Sequence, residues 1–256
     1  MRMEYMEHNK GVFLEQLSWK EAESLLSDSA VIVLPLGAAA KEHGYHLPLN
    51  NDLLMANYLA KETARNLDVI VAPSINYSYY PAFVEYPGSV SLSIETASKI
   101  VEEICRSLAS FGPRRFYALN TGISTRVPLE RAAATLQTDG VILHFTDLHK
   151  ALQAITDEIS AQEGGSHADE IETSIMLYIA PDIVRMDLAC KDFCKEATGR
   201  LSRHQTSKTS YSPSGVWGDA TLATKSKGEK IVKCLIDHIA ADIEQLRHSQ
   251  PVISQG

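Results

Sequence analysis

Short aliphatic runs that end in turn-forming residues predict two buried strands early in the chain. Residues 31–34 (Val-Ile-Val-Leu) are followed by Pro35 and Gly37, and residues 69–71 (Val-Ile-Val) are followed by Pro73. Between these runs, residues 52–67 carry apolar side chains at the spacing of a helix. The order strand, loop, helix, strand describes a βαβ unit, whose parallel strands are buried on both faces.

The alternation of strands and helices continues beyond this unit. Apolar periodicity predicts further helices over 93–111, 129–138, 171–179 and 227–246, and further strands over 115–120 and 140–145. Such alternation indicates an α/β fold with a mostly parallel sheet flanked by helices, and we expect a single domain over residues 1–256. Residues 162–166 and 199–218 lack periodicity and are predicted to be loops. The second exceeds the length of about 12 residues above which loops are usually functional or disordered.

Composition and charge narrow the classes of function. Hydrophobic residues make up 45% of the chain and charged residues 22%, as in ordinary globular proteins. The formal net charge of −8 disfavours nucleic acid or an anionic membrane as a partner and favours a small molecule. The 4 cysteines form no CxxC pair, no signal peptide is evident, and no apolar run approaches the roughly 18 residues of a membrane span. We therefore expect a cytoplasmic protein.

The loop after the first predicted strand carries the richest group of reactive side chains. Glu42, His43, His46 and Asp52 lie within 11 residues, and ligands of open parallel sheets bind beside the carboxyl ends of strands. One interpretation is a catalytic metal site, which needs about three N or O ligands, here Glu42, His43 and Asp52. The other is a surface turn in which Asp52 caps the following helix and His43 makes a local hydrogen bond. The spacing alone leaves both open.

Four blocks of the chain resemble the motifs of the creatininase (creatinine amidohydrolase) family. They are residues 34–52 (LPLG, then EHG and HLPL, then Asp52), 86–92 (YPGSVSL), 167–174 (HADEIETS) and 218–228 (GDATLAT, then KG). The resemblance extends over about residues 14–245. It implies an α/β fold with a metal-dependent amidohydrolase site at the strand ends, in a homo-oligomer, often a hexamer. The family includes creatininases, a formylaminopyrimidine deformylase and a peptidase of mycofactocin maturation.

Two departures from the family pattern affect the expected number of metal ions. The family binds its pair of metals partly through a Glu two residues before the first His, where this chain has Lys41, so that Glu42 is the candidate to replace it. After the strand at 115–120 the family has an NGHxxN block, whose His and a nearby Glu are further ligands. This chain reads Asn-Thr-Gly-Ile-Ser-Thr-Arg at 120–126, and hydroxyl groups replace imidazole and carboxylate poorly at a transition metal. We expect one divalent ion per chain, zinc or manganese.

We assign Glu42, His43 and Asp52 to this metal ion. His167, which matches the histidine of the family's HAG block, is expected to transfer a proton to the leaving nitrogen or to act as a fourth ligand. Glu172, on the helix that follows, is expected to orient His167 or a ligand. The alternatives are that His167 is an ordinary surface histidine and that Glu172 stabilises the positive end of its helix.

Three further residues are candidates for contact with the substrate. Ser124 lies in the altered block, and Arg126 follows it, where a guanidinium can bind an anionic group or fill the place of a second metal. Asp219 either positions the substrate or caps a turn.

The predicted activity is hydrolysis of a cyclic amide, formamide or similar C–N bond of a small molecule by metal-activated water. Two alternatives stay open. The chain is a family member that has lost catalysis and acts as a ligand-binding or assembly protein, or it is a two-metal enzyme completed by side chains such as His46, His149 or Glu172.

Overall fold

A computed structural model describes residues 9–196, 200–205 and 210–250. Its strands are β1 (Val12–Phe13), β2 (Val31–Leu36), β3 (Ile70–Val71), β4 (Arg115–Asn120), β5 (Ile142–Phe145), β6 (Lys191–Asp192), β7 (Leu201–Ser202), β8 (Ser210–Tyr211) and β9 (Gly218–Asp219). Its helices are α1 (Trp19–Leu25), α2 (Asn51–Asn66), α3 (Ile94–Ala109), α4 (Arg126–Thr138), α5 (Leu148–Ile159), α6 (Glu170–Ile179) and α7 (Lys225–His248).

The centre of the molecule is a five-stranded sheet with the strand order β1-β3-β2-β4-β5. All of its strand pairs are parallel. In the central pair, Val31 of β2 lies opposite Arg115 of β4 and Leu36 lies opposite Asn120, so the loops that follow the two strands begin side by side. The α/β fold with a mostly parallel sheet is thus confirmed. Two small strand pairs, β6 with β9 and β7 with β8, lie outside this sheet.

Helices cover both faces of the sheet. Alternate residues of β2 point to opposite faces: Val31 and Val33 pack with α2, α6 and α7, while Ile32, Leu34 and Leu36 pack with α3 and α4. Burial on both faces explains why the β2 sequence is apolar without alternation.

Helices α6 and α7 pack closely at Gly228. A Cβ atom on Gly228 would lie 1.9 Å from the carbonyl oxygen of Ser174 in α6. Glycine is therefore required for this approach of the two helices, and α6 is also the helix that carries Glu172.

The predicted elements are all present, with differences in their bounds, and β1, β6 and β9 were not predicted. The predicted helix at 129–138 begins earlier, at Arg126, because Pro128 is tolerated in the first turn of a helix. Helices α1 and α5 were not predicted, although Leu148, Leu152, Ile155 and Ile159 of α5 pack against the core at helical spacing. Within the predicted loop at 199–218 lie β7 and β8, and residues 199 and 206–209 of that loop are outside the described part of the chain.

Among the described helices, none has the combination of length and apolar character that a membrane span requires. Cys105, Cys190, Cys194 and Cys234 are all free thiols.

Candidate active site

The site is formed by the loop between β2 and α2 and by the segment that leads into α6. The loop provides Lys41, Glu42 and His43, the first turn of α2 provides Asp52, and the segment before and within α6 provides His167 and Glu172. All are buried except Glu172, whose side chain is 22% exposed.

Gly37 fixes the path of the loop as it leaves β2. A Cβ atom on Gly37 would lie 2.3 Å from the backbone oxygen of Asp52, so the start of the loop packs directly on the start of α2.

Asp52 is bound by two side chains and does not cap its helix. The residue at the N-cap of α2 is Asn50, and the carboxylate of Asp52 turns inward. Its Oδ1 lies 2.7 Å from His43 Nε2 and its Oδ2 lies 2.7 Å from Lys41 Nζ. Burial acts to raise the pKa of Asp52, but Lys41 and His43 outweigh it and hold the pKa well below its usual value. The capping interpretation of Asp52 is therefore wrong.

Lys41 is a buried ammonium group. Burial acts to lower its pKa, but the carboxylates of Asp52, Glu172 and Glu42 outweigh burial and raise it above its usual value. The Nζ atom also lies 5.0 Å from the ring centroid of Phe83 and 5.7 Å from that of Tyr80, where aromatic faces attract a cation. Lys41 therefore stays charged although only 4% of the residue is exposed.

Each of the two histidines has one ring nitrogen against a backbone carbonyl. The Nδ1 of His43 lies 2.9 Å from the carbonyl oxygen of Lys41, and the Nε2 of His167 lies 2.9 Å from that of Glu42. A carbonyl oxygen only accepts, so these two nitrogens carry the protons that bind it. The opposite nitrogens then carry the lone pairs that can bind a metal ion: His43 Nε2 lies 2.7 Å from Asp52 Oδ1, and His167 Nδ1 lies 3.5 Å from Glu172 Oε2.

The two glutamates lie on opposite sides of His167. One carboxylate oxygen of Glu42 accepts from the Gly44 backbone N–H at 2.7 Å and lies 3.2 Å from His167 Nε2. Burial acts to lower the pKa of His167, but Glu42 more than offsets it and raises the pKa. On the other side, Glu172 Oε2 lies 3.5 Å from His167 Nδ1.

The backbone at Ala168 directs an N–H at Glu172. Ala168 has φ of 47°, the one positive φ outside glycine in the described part of the chain, and this conformation costs about 1–2 kcal/mol. Its N–H donates to Glu172 Oε2 at 2.5 Å. This bond fixes the carboxylate beside His167.

One group of three possible metal ligands occurs among the described residues, namely His43, His167 and Glu172, whose ligand atoms lie within 4.8 Å of one another. We call it the His-His-Glu cluster. It shares only His43 with the predicted set of Glu42, His43 and Asp52. Glu42 faces His167 and Gly44, and Asp52 is paired with Lys41 and lies beside His43 Nε2, so neither carboxylate is part of this cluster.

A cavity of about 290 Å³ opens over this cluster. It is lined by Lys41, Phe83, Ser124, His167, Glu172 and Trp217, among others. A neighbouring cavity of about 270 Å³ shares Glu172, Thr121 and Ile123 with it, and is otherwise lined mainly by α5 and α6.

The three predicted substrate-binding residues lie in different places. Ser124 lines the cavity and donates to the backbone oxygen of Tyr79 at 2.8 Å. Arg126 does not fill the space of a second metal: its side chain is 55% exposed and pairs with Glu130 one helical turn along α4. The carboxylate of Asp219 accepts from the Thr221 backbone N–H at 3.1 Å, which is the turn interaction considered as its alternative.

The family model for creatininases, described as creatinine amidohydrolase, matches residues 15–243. The chain belongs to the creatininase family. It is 27% identical to the creatinine amidohydrolase of Pseudomonas putida, over 93% of this chain and 98% of that protein. It is 26% identical to the mycofactocin precursor peptide peptidase of Mycolicibacterium smegmatis, over 93% and 94% of the two chains. A solved structure named "Creatininase Mn" superposes with a TM-score of 0.76 at 25% identity, over 93% and 100% of the chains. These relatives are hydrolases.

The residues present fit one divalent ion. Two imidazoles and a carboxylate are the donor types that zinc and manganese take in catalytic sites, and a carbonyl against the far nitrogen of a histidine is the usual support of a metal ligand. In addition, His43 Nε2 and Asp52 Oδ1 are 2.7 Å apart, and with Nδ1 of His43 protonated this contact fits a proton on Nε2 or a cation shared by the two atoms. A second metal ion on Asp52 would meet the ammonium of Lys41.

Lys41 is the main residue whose role the sequence did not reveal. Its position was noted as a departure from the family pattern, but the contact with Asp52 depends on the path of the loop. Phe83 and Trp217, which line the cavity, also carried no local signal in the sequence.

Proposed function

We propose that this chain is a metal-dependent amidohydrolase that cleaves a C–N bond of a small molecule, with one zinc or manganese ion per chain. The observation that carries the proposal is the His-His-Glu cluster, of which His167 and Glu172 line the cavity. His43, His167 and Glu172 would hold the ion, which when bound lowers the pKa of a water molecule to about 7 and so provides a nucleophile at neutral pH.

The other charged side chains support this arrangement. Glu42 contacts the protonated Nε2 of His167, and a contact at the nitrogen away from the ion orients the ring and raises its basicity. Glu42, predicted as a ligand, is thus proposed to orient a ligand. Asp52 Oδ1 lies 2.7 Å from His43 Nε2, on the side of the ring that would face the ion. Lys41 lines the cavity, and its ammonium stabilises the negative charge that develops on the carbonyl oxygen of the substrate during attack.

Transfer of a proton from the attacking water to the leaving nitrogen is proposed to fall to the carboxylate oxygen of Glu172 that does not hold the ion. Its side chain is the most exposed of the cluster, and it borders both cavities. His167, to which proton transfer was first assigned, has one nitrogen on a backbone carbonyl and the other toward Glu172, and so suits binding and orientation better.

The cavity supports a small, partly flat substrate. Its volume of about 290 Å³ is at the lower end of the usual range for small-molecule sites, about 300–1,000 Å³. Phe83 and Trp217 offer aromatic surfaces for a ring, and Ser124 offers a hydroxyl group. We therefore propose a cyclic amide or a formamide on a heterocycle.

The predictions of a cytoplasmic location and of a homo-oligomer, hexameric by family resemblance, remain proposals. Free thiols support the first. Trp19 and Phe111, which are 76% and 66% exposed, support the second, because large exposed apolar side chains are common at subunit interfaces.

The test combines elemental analysis with an activity screen. Protein purified without chelator should contain about one zinc or manganese ion per chain, and should release amine from members of a panel of cyclic amides and formamides. Chelator should abolish this activity and the metal should restore it. His43→Ala should lower both metal content and kcat/KM by more than about 100-fold. His248→Ala, which changes an exposed histidine at the end of α7, serves as the matched control. Less than about 0.2 metal ion per chain contradicts the proposal.

A second candidate function is binding without catalysis. The ion pair between Lys41 and Asp52 favours it, because it satisfies a carboxylate of the site without a metal. Under this alternative, His43→Ala leaves ligand binding and oligomer size unchanged, and the wild-type protein hydrolyses none of the panel.

A further inference from the structure

The ammonium of Lys41 lies where a metal ion on Asp52 would lie. The two side chains are 5% and 1% exposed, and Nζ is 2.7 Å from Oδ2. Asp52 presents its other oxygen to His43. Both oxygens of this carboxylate therefore face groups of the chain itself, although Oδ2 receives no well-directed hydrogen bond in the described part of the chain and is held by the charge of Lys41.

Lys41 is held in this position by several independent contacts. Its backbone N–H donates to the carbonyl oxygen of Leu49 at 3.0 Å, which fixes the loop, and Phe83 and Tyr80 present aromatic faces to its Nζ atom. The ammonium of Lys41 is therefore a fixed cation of the buried site, held by a carboxylate and by two aromatic rings.

The charge of one lysine is sufficient to replace the charge of one divalent ion. The family pattern has a glutamate at this position, with charge −1, and this chain has a lysine, with charge +1. The change adds two positive charges, which equals the charge of one divalent ion. Lys41 Nζ lies 2.7 Å from Asp52 Oδ2, and both side chains are buried, so the ammonium is placed as the counter-ion of this carboxylate.

We infer that Lys41 is a built-in replacement for one of two metal ions, so that the centre has a single metal position and Asp52 is neutralised by the chain itself. The inference concerns the position on Asp52 and rests on the proposed function only for the ion that remains at the His-His-Glu cluster.

Metal counting on Lys41→Glu tests the inference. This variant gives the loop a carboxylate ligand and removes the competing charge, whereas Lys41→Met removes the charge and adds no ligand. Metal content per folded chain is measured by elemental analysis after dialysis against zinc or manganese. We expect one more ion per chain in Lys41→Glu than in the wild type, and no increase in Lys41→Met.

The possible results separate the inference from the proposed function. One ion in the wild type and two in Lys41→Glu support both. None in the wild type and one in Lys41→Glu support the inference and contradict the proposed function. Equal counts in wild type and Lys41→Glu, or two ions in the wild type, overturn the inference and leave the hydrolase proposal standing wherever the wild type holds metal.

Thermal unfolding gives a second readout in case Lys41→Glu does not fold. Lys41→Met leaves Asp52 buried without its counter-ion, so we expect Tm to fall by roughly 6–15 °C. Manganese should raise the Tm of this variant by no more than it raises that of the wild type, because the variant gains no ligand. Lys61→Met, an exposed lysine on α2, is the control and should behave as the wild type. A Lys41→Met variant with the Tm of the wild type overturns the inference.

Discussion

The substitution Asp52→Asn removes the negative charge that Lys41 and His43 share. Lys41 Nζ and Asp52 Oδ2 are 2.7 Å apart in a buried setting. At that distance, with an effective dielectric constant of about 20, the attraction of two unit charges is about 6 kcal/mol, much of which offsets the desolvation of the two groups. Removal of one partner of a buried pair leaves the other charge uncompensated and costs about 3–5 kcal/mol. We expect this loss in the free energy of unfolding at neutral pH.

The loss of stability in Asp52→Asn should depend on pH in a defined direction. The pKa of Asp52 is lowered in the folded protein. Its contribution to stability is therefore present above the unfolded pKa of about 3.9, and it is lost as the pH falls through the lower folded value. The difference in stability between wild type and Asp52→Asn should be constant from neutral pH to about pH 4 and should narrow below it.

Urea unfolding followed by circular dichroism, in the presence of chelator, measures these free energies without a contribution from metal. A double-mutant cycle with Lys41→Met isolates the pair. The double variant should be more stable than the sum of the single losses predicts, because it leaves neither charge unpaired. Asp139→Asn, which breaks a half-exposed pair with Arg106, is the control and should change stability little. A loss below about 1 kcal/mol for Asp52→Asn, or an additive cycle, would refute the buried-pair argument.

Three further substitutions test other parts of the structure. Gly228→Ala should destabilise the protein by about 1–3 kcal/mol in urea unfolding, because its Cβ would lie 1.9 Å from the backbone oxygen of Ser174 and the gain in helix propensity is only about 1 kcal/mol. Glu170→Gln should cost about 2–3 kcal/mol, because it weakens charged hydrogen bonds to Lys227 and to two backbone N–H groups. Burial acts to raise the pKa of Glu170, but these bonds lower it, so this loss should disappear as the pH falls below about 4. Arg126→Ala should leave kcat/KM on any substrate found by the amide panel near the wild-type value, because the guanidinium is half-exposed and pairs along its own helix.

Each of these three predictions has a result that would contradict it. Ser226→Ala, on the exposed side of the first turn of α7, should be neutral, and equal stability of Gly228→Ala would show that α6 and α7 separate without cost. A pH-independent loss for Glu170→Gln would mean that its charge does not matter. A large rise in KM for Arg126→Ala would place the guanidinium on the substrate.

The sequence predicted the sheet well because its strands are buried on both faces. The run at 31–34 and the run at 115–120 are β2 and β4, adjacent and parallel, and every residue of both is buried. The start of α4 was placed late because Pro128 reads as a helix breaker, although it is harmless in a first turn. The short strands β7 and β8 have two residues each, too few to show a periodicity.

The site was predictable in its members but not in its contacts. His43, Asp52, His167 and Glu172 were all identified from the loop chemistry and the family motifs, and the structure brings them together. The contacts between carboxylates and histidines depend on how two loops that are far apart in the chain pack against each other. Spacing within one loop therefore suggested Glu42 as a ligand beside His43, where the fold supplies Glu172 from α6.

The two departures from the family pattern lie next to each other in space, and together they describe one change. Asn120, the end of β4, is paired with Leu36, the end of β2, so the altered block starts beside the loop of Lys41. Its hydroxyl groups bind the backbone: Thr121 Oγ1 donates to the oxygens of Leu36 and Asp52, and Thr125 Oγ1 donates to that of Gly122. A block that donates to backbone oxygens fixes the position of Asp52. Under the inference about Lys41, the missing ligands at 120–126 and the ammonium beside Asp52 concern the same metal position: the block offers no ligand to it, and Lys41 supplies the positive charge that balances Asp52.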